Sequence, residues 1–148
     1  MDYTQEIVDI LNASAPLVAL LTGGIFNFNS VGRKGINPMA LAQAYDANNQ
    51  LRPCCVVWTA EEAMDGQAVG FVRSTVTPVY GRLYDNGNAG FDTLAAAEVI
   101  IYGLLNQQRI PNALQFLWGK TIKNLRDSRL SDAALYSFNG KIYAIRSS

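Results

Sequence analysis

Histidine is absent from this chain of 148 residues, which removes every scheme that needs an imidazole base or ligand, including Ser-His-Asp and Cys-His nucleophiles and zinc hydrolases. Charge is scarce too. Charged side chains make up 16% against 49% hydrophobic, which argues against disorder and leaves little charge to keep a lone monomer solvated. The composition points to an assembly partner. The 12 basic and 12 acidic residues cancel, so net charge marks the chain neither as a nucleic-acid binder nor as a membrane-surface binder. No apolar run approaches the roughly 18 residues that span a bilayer, and the N-terminus carries Asp2, Glu6 and Asp9 in place of a basic stretch. Neither a signal peptide nor a transmembrane helix is expected.

The only cysteines, Cys54 and Cys55, are adjacent in an apolar run. Consecutive side chains of a strand point to opposite faces and cannot close a normal disulfide, so the pair is expected as buried, reduced core residues of an intracellular protein. Thiol reactivity is the other reading, with Arg52 the only nearby cation to support it. The glycines form neither a dinucleotide fingerprint nor a phosphate loop. Asp85 to Asp92 fails as a calcium loop, because Gly87 stands at the third position, which needs an oxygen ligand, and Ala96 at the place of the bidentate glutamate. Glu61, Glu62 and Asp65 form the one carboxylate cluster and could hold a divalent cation if folded together; a solvated turn is the plainer reading. No catalytic residue, metal or cofactor is expected.

The length suits one domain. Ile7, Ile10 and Leu11 at helical spacing predict a helix over 4–12, with Asp2 or Thr4 as cap. Ser14 can cap a second short helix with Pro16 in its first turn, ended by Gly23 and Gly24. A short strand over 25–28 leads to an exposed, mobile loop from Asn29 to Asn37, and Pro38 to Tyr45 has modest helical character. Cys54 to Thr59 is apolar on both parities, as a central strand covered on both faces would be, and Glu61 to Gly66 reads as a turn. Val69 to Tyr84 reads as one strand bent at Pro78 or as two pieces.

After a turn over Asp85 to Gly90, Asp92 is expected to cap a helix with Leu94, Ala97, Ile101, Leu104 and Leu105 on one stripe, ending near Gln107 before Pro111. Residues 113–122 and 133–146 read as strands, the second interrupted by a tight-hairpin signal at Asn139-Gly140. The order fits a single α+β domain, a mainly antiparallel sheet with helices packed on one face.

Zero net charge conceals a polarity. Residues 1–108 carry ten acids and five bases, and residues 109–148 carry two and seven, so opposite signs could meet between copies in a head-to-tail ring, or neutralise within one copy. Lys120, Lys123, Arg126 and Arg129 recur about every three residues and could touch phosphates, a neighbouring acidic subunit or only solvent. Tyr80, Tyr84, Tyr136 and Tyr143 are aromatic interface candidates, although strand aromatics are more often core.

The opening run Glu6-Ile-Val-Asp-Ile-Leu-Asn-Ala-Ser-Ala-Pro-Leu-Val-Ala-Leu-Leu-Thr-Gly-Gly-Ile-Phe resembles the start of tail-completion proteins of long-tailed bacteriophages, also called tail terminators or head-tail joining proteins. Pro-Cys-Cys-Val-Val-Trp, with Trp at 58, is similar to their first core strand. Val76 to Tyr84, the following Asp-Asn-Gly and the helix from Phe91 to Leu105 resemble their strand, acidic turn and long helix, and Leu135 to Arg146 fits a final long strand. Asn27 to Arg52 is longer and more polar than the family's counterpart. The resemblance implies a non-enzymatic virion protein, made in the host cytoplasm, that forms a hexameric homo-oligomeric ring at the head-proximal end of the tail tube. Such a ring stops tube growth and contacts the tail-tube protein and the head-closure or connector proteins, while DNA passes through its lumen without sequence-specific binding. Arg33 and Lys34 are then expected on a projecting loop that orders on docking, and Lys120, Lys123, Arg126 and Arg129 are further partner-interface candidates.

Three rivals remain open at this stage. The chain could be another virion ring component, either a head-closure protein or a tail-tube subunit. It could be a small metal- or ligand-binding module built on Glu61, Glu62 and Asp65, or a dimeric intracellular binding protein.

Overall fold

A computed structural model describes residues 3–29, 42–64 and 72–147. Arg33, Lys34, Asp65 and most of the expected Asn29–Asn37 loop lie outside the described residues. The chain runs α1 (Tyr3–Asn12), α2 (Ala15–Leu20), β1 (Ile25–Asn27), a 3-10 turn (Ala42–Ala44), β2 (Cys54–Thr59), β3 (Ala63–Met64), β4 (Val72–Asp85), α3 (Asp92–Leu105), β5 (Gln115–Asp127), a second 3-10 turn (Ser128–Leu130) and β6 (Ala133–Ser147). The six strands form one sheet in the order β1-β2-β4-β6-β5, with β3 paired to β4. Among the described residues only β1 pairs in parallel, with β2, and the other pairs are antiparallel. The fold is the α+β class expected, with the helices on one face.

Helix α1 buries Tyr3, Thr4, Ile7, Val8 and Leu11 on one side, the 3.6-residue spacing of an amphipathic helix. Ser14 caps α2, its Oγ accepting from the Leu17 N–H at 3.4 Å, with proline in the first turn as the sequence indicates. Helix α3 turns Leu94, Ala97, Ile101 and Leu105 inward; burial of each of the three larger side chains contributes about 1.5–3 kcal/mol. Asp92 is not its cap. Phe91 holds that position with no side-chain cap bond, and Asp92 is the first helical residue, where its charge faces the positive end of the helix dipole.

The expected hairpin at Asn139-Gly140 is absent: β6 is one strand of 15 residues, paired with β4 from Ala134 to Ser147. Gly140 serves close approach in place of a turn. A Cβ there would fall 2.4 Å from Cζ of Phe116. The turn expected over Glu61 to Gly66 contains instead the short strand β3, and β4 passes through Pro78 without a break. The Pro78 carbonyl accepts from the Ala60 N–H at 3.0 Å, beyond the last β2 partner at Thr59, so the missing proline N–H falls where the ladder passes from β2 to β3.

Two cores result. The larger lies between the helices and the sheet, with Cys55, Val57, Leu83 and Phe138 among its sheet residues. The smaller covers part of the opposite face, where Ala44 and Leu51 pack on Cys54, Val56, Tyr84 and Leu135. Strand β2 is therefore covered on both faces, which explains its unbroken apolar run. Strand β5 is an outer strand of the sheet, and register shifts between Trp118 and Lys120 and between Ile122 and Leu125 interrupt its pairing with β6. Such bulges blunt an open edge.

Candidate assembly surfaces

Strand alternation fixes which side chains share the sheet face opposite the helices. The antiparallel register aligns Trp58, Tyr80, Asn139 and Lys120 in one row across β2, β4, β6 and β5. The neighbouring rows carry Arg82, Ser137 and Ile122 on one side and Pro78, Lys141 and Leu117 on the other. Trp58 and Tyr80 stack at 5.7 Å between ring centroids, and the Arg82 guanidinium lies 5.3 Å from the Trp58 ring, a cation-π arrangement. A shallow groove of about 510 Å³ crosses this face, lined by Pro78, Tyr80, Leu117, Asn139, Lys141 and Tyr143. Tyr80 and Ile122 are exposed, and Ile145 is 54% exposed.

Among the described residues the strand positions of this face are mainly basic. Arg82, Lys120 and Lys141 stand on it, and the carboxylate on the same parity, Asp127, lies at the far end of β5. Asp127 is already occupied: its Oδ1 accepts the Arg129 N–H at 3.0 Å and lies 3.6 Å from the Arg129 Nε. The helices have the opposite sign, with Glu6, Asp9, Asp92 and Glu98 and no lysine or arginine within α1, α2 or α3.

Helix α3 also has a second apolar side. Val99 is 68% exposed, Tyr102 is exposed, and a Cβ at Gly103 would meet nothing within 4 Å. An exposed apolar side on a surface helix marks a candidate contact surface.

The four C-terminal cations do not share a face. Lys120 and Lys123 are exposed on β5. Arg126 lies on the helix side, 4.7 Å from the centroid of Phe91, and donates to the Gly87 carbonyl at 3.1 Å and the Asp132 carbonyl at 3.3 Å. Arg129 follows in the 3-10 turn and rims a polar cleft of about 550 Å³ between Tyr45, Asn49, Asn86 and Asn88. Of the four tyrosines, Tyr84 and Tyr136 are buried, Tyr80 is exposed and Tyr143 half-buried in the groove wall. The face-wide grouping of Trp58, Arg82 and Lys141 with Lys120 escapes a linear reading, because it depends on register between strands distant in sequence.

The acidic cluster is partly engaged in packing. Glu62 Oε2 accepts from the Thr75 hydroxyl at 2.6 Å and from Arg146 Nε at 3.1 Å, while Arg146 also donates to the Asn112 carbonyl and the Tyr3 hydroxyl. These contacts fasten the end of β6 to α1 and to the segment before β3. Among the described residues no group of three His, Cys, Asp or Glu side chains is placed to hold a metal ion. Cys54 and Cys55 are buried on opposite faces; burial pushes the Cys54 thiol up to about 12, with the Asp85 charge adding to it, and raises Cys55 as well.

No protein-family model matches the chain, and no curated protein matches it in sequence. Among solved structures, a chain of the virion of a native gene transfer agent (GTA) particle shares the fold, with a TM-score of 0.62 and 12% identity over 97% of this chain and 95% of that one.

Proposed function

We propose that the protein is a structural virion component that forms a hexameric ring at the head-proximal end of a phage tail, terminates the tail tube and joins it to the head connector. The observation that carries this reading is the end-to-end fold likeness to a chain of a gene transfer agent virion. Such coverage leaves no room for a mere shared substructure. The tail-completion resemblance of the sequence agrees with it independently, through the helix pair, the Cys-Cys strand and the long α3. Two exposed surfaces of opposite sign give a copy the means to contact two neighbours, as a closed heterologous ring requires.

In this reading the ring is the homo-oligomer, the tail-tube protein and the connector are its other partners, and DNA crosses the lumen without base readout. Arg33, Lys34, Lys120 and Lys123 are proposed as contacts to these partners. The test mixes purified protein with tail tubes of the same phage and images them. Rings that cap tube ends support the proposal; spontaneous growth of the purified chain into long rods assigns it to the tube instead. Replacing Arg33 and Lys34 with Glu should leave melting and ring mass unchanged and lower head-tail joining.

A further inference from the structure

We infer that, within the ring proposed above, the exposed side of α3 of one copy seats in the groove on the open sheet face of the next. The inference rests on the ring reading and adds to it the contact that builds the ring. Helix and groove lie on opposite sides of one domain, because the sheet and the larger core stand between them. A copy can therefore offer its helix to one neighbour and its groove to another at the same time.

Charge selects this pairing over a two-fold dimer. A helix-to-helix dimer would set the exposed Asp92 against its own counterpart, whereas Glu98 accepts from the Thr121 hydroxyl at 3.0 Å within the same copy, and a sheet-to-sheet dimer would set Arg82, Lys120 and Lys141 against theirs. Like charges across an interface are costly, and opposite signs favour helix on sheet. Shape agrees with charge. Along α3 the outward stripe is Asp92, Ala96, Val99 and Gly103, small residues flanking one aliphatic knob. Small residues let a helix axis approach closely, and the bare Cβ position at Gly103 keeps that side open. The receiving groove offers aromatic and aliphatic walls in Tyr80, Leu117 and Tyr143 with Lys141 at its rim. Exposed apolar area on both sides, idle in a single copy, is removed from water in the pair.

Cross-linking of the full chain tests the contact directly. Val99→Cys and Lys141→Cys are made singly and together, and each is treated with a short bismaleimide; the native thiols are buried and do not compete. Melting of each variant is compared with the parent to confirm folding. The double variant should give a covalent ladder that ends at the subunit number of the ring, while each single variant stays monomeric on a denaturing gel. Dimers from Val99→Cys alone would mean helix-on-helix pairing and overturn the inference. A ring by solution mass with no ladder would also overturn it while leaving the ring reading standing. A chain that stays monomeric at every concentration and on tail tubes removes both.

Charge reversal supplies a second readout. Lys120→Glu with Lys141→Glu should raise the concentration for half-assembly about tenfold or more. If the double reversal abolishes binding to a short DNA duplex and leaves the mass unchanged, the face belongs to DNA and the inference fails.

Discussion

The ring of Phe116 on β5 lies directly over Gly140 on β6, where any Cβ would fall 2.4 Å from its Cζ. Gly81 on β4 stands in the same relation to Phe138, whose ring would meet a Cβ at 2.0 Å. Two glycines on neighbouring strands thus make room for two aromatic rings, and Trp118 stacks on Phe138 at 5.0 Å. The aromatic layer under the helices depends on those missing side chains.

Gly140→Ala should therefore destabilise the fold by about 1–3 kcal/mol through overpacking, although alanine suits a strand no worse than glycine. Urea unfolding followed by tryptophan fluorescence measures it. An unchanged midpoint would mean that Phe116 moves aside freely.

Asn139-Gly140 also shows where a linear reading misleads. The dipeptide carries strong turn chemistry, yet both neighbours of β6 are present along this stretch and keep the backbone extended. Tertiary pairing overrides the local preference, and the glycine answers a steric need that arises from a residue on another strand. By contrast the periodicity of α1 and α3, the Ser14 cap of α2 and the apolar run of β2 were legible because they are local properties, although the cap of α3 was not.

The native thiols should be silent. With Cys54 raised to about 12 and Cys55 raised as well, both by burial above all, the thiolate population of Cys54 at pH 8 falls about a thousandfold below that of a free thiol. An aromatic disulfide reagent at pH 8 should label the protein only at the rate at which it unfolds, and labelling that is fast in the native protein would contradict the buried placement.

Asp85 sits buried at the end of β4, and burial raises its carboxyl above the ordinary value of 3.8 even though one oxygen accepts the Asn86 N–H at 2.8 Å. The folded state then binds this proton more tightly than the unfolded chain, so the group favours folding most below pH 3.8, and that benefit is lost as pH rises through its folded value. Asp85→Asn keeps the acceptor oxygen and removes the charge. The variant should be more stable than the parent at pH 7, with the gap closing as pH falls below 3.8. Equal stability at pH 7 would show that the site is well solvated.

The assembly surfaces were only half legible. Counting along the chain finds a more acidic first part and a more basic last part, but the polarity that the fold builds runs between faces. Arg82 belongs to the acidic part and joins the basic face, while Arg126 belongs to the basic part and turns toward the helices. The register shift between Ile122 and Leu125 causes the second of these: in a regular strand Lys120 and Arg126 would point the same way. Neither the shift nor the neighbours of β4 can be read from spacing within one strand.

Solution mass across a concentration series, with images of the same sample on tail tubes, tests the central claim most directly. The account predicts closed rings of about six copies, free or on tube ends, since heterologous contacts that turn by a fixed angle close on themselves. A compact dimer at every concentration, with bare tube ends beside it, would contradict it.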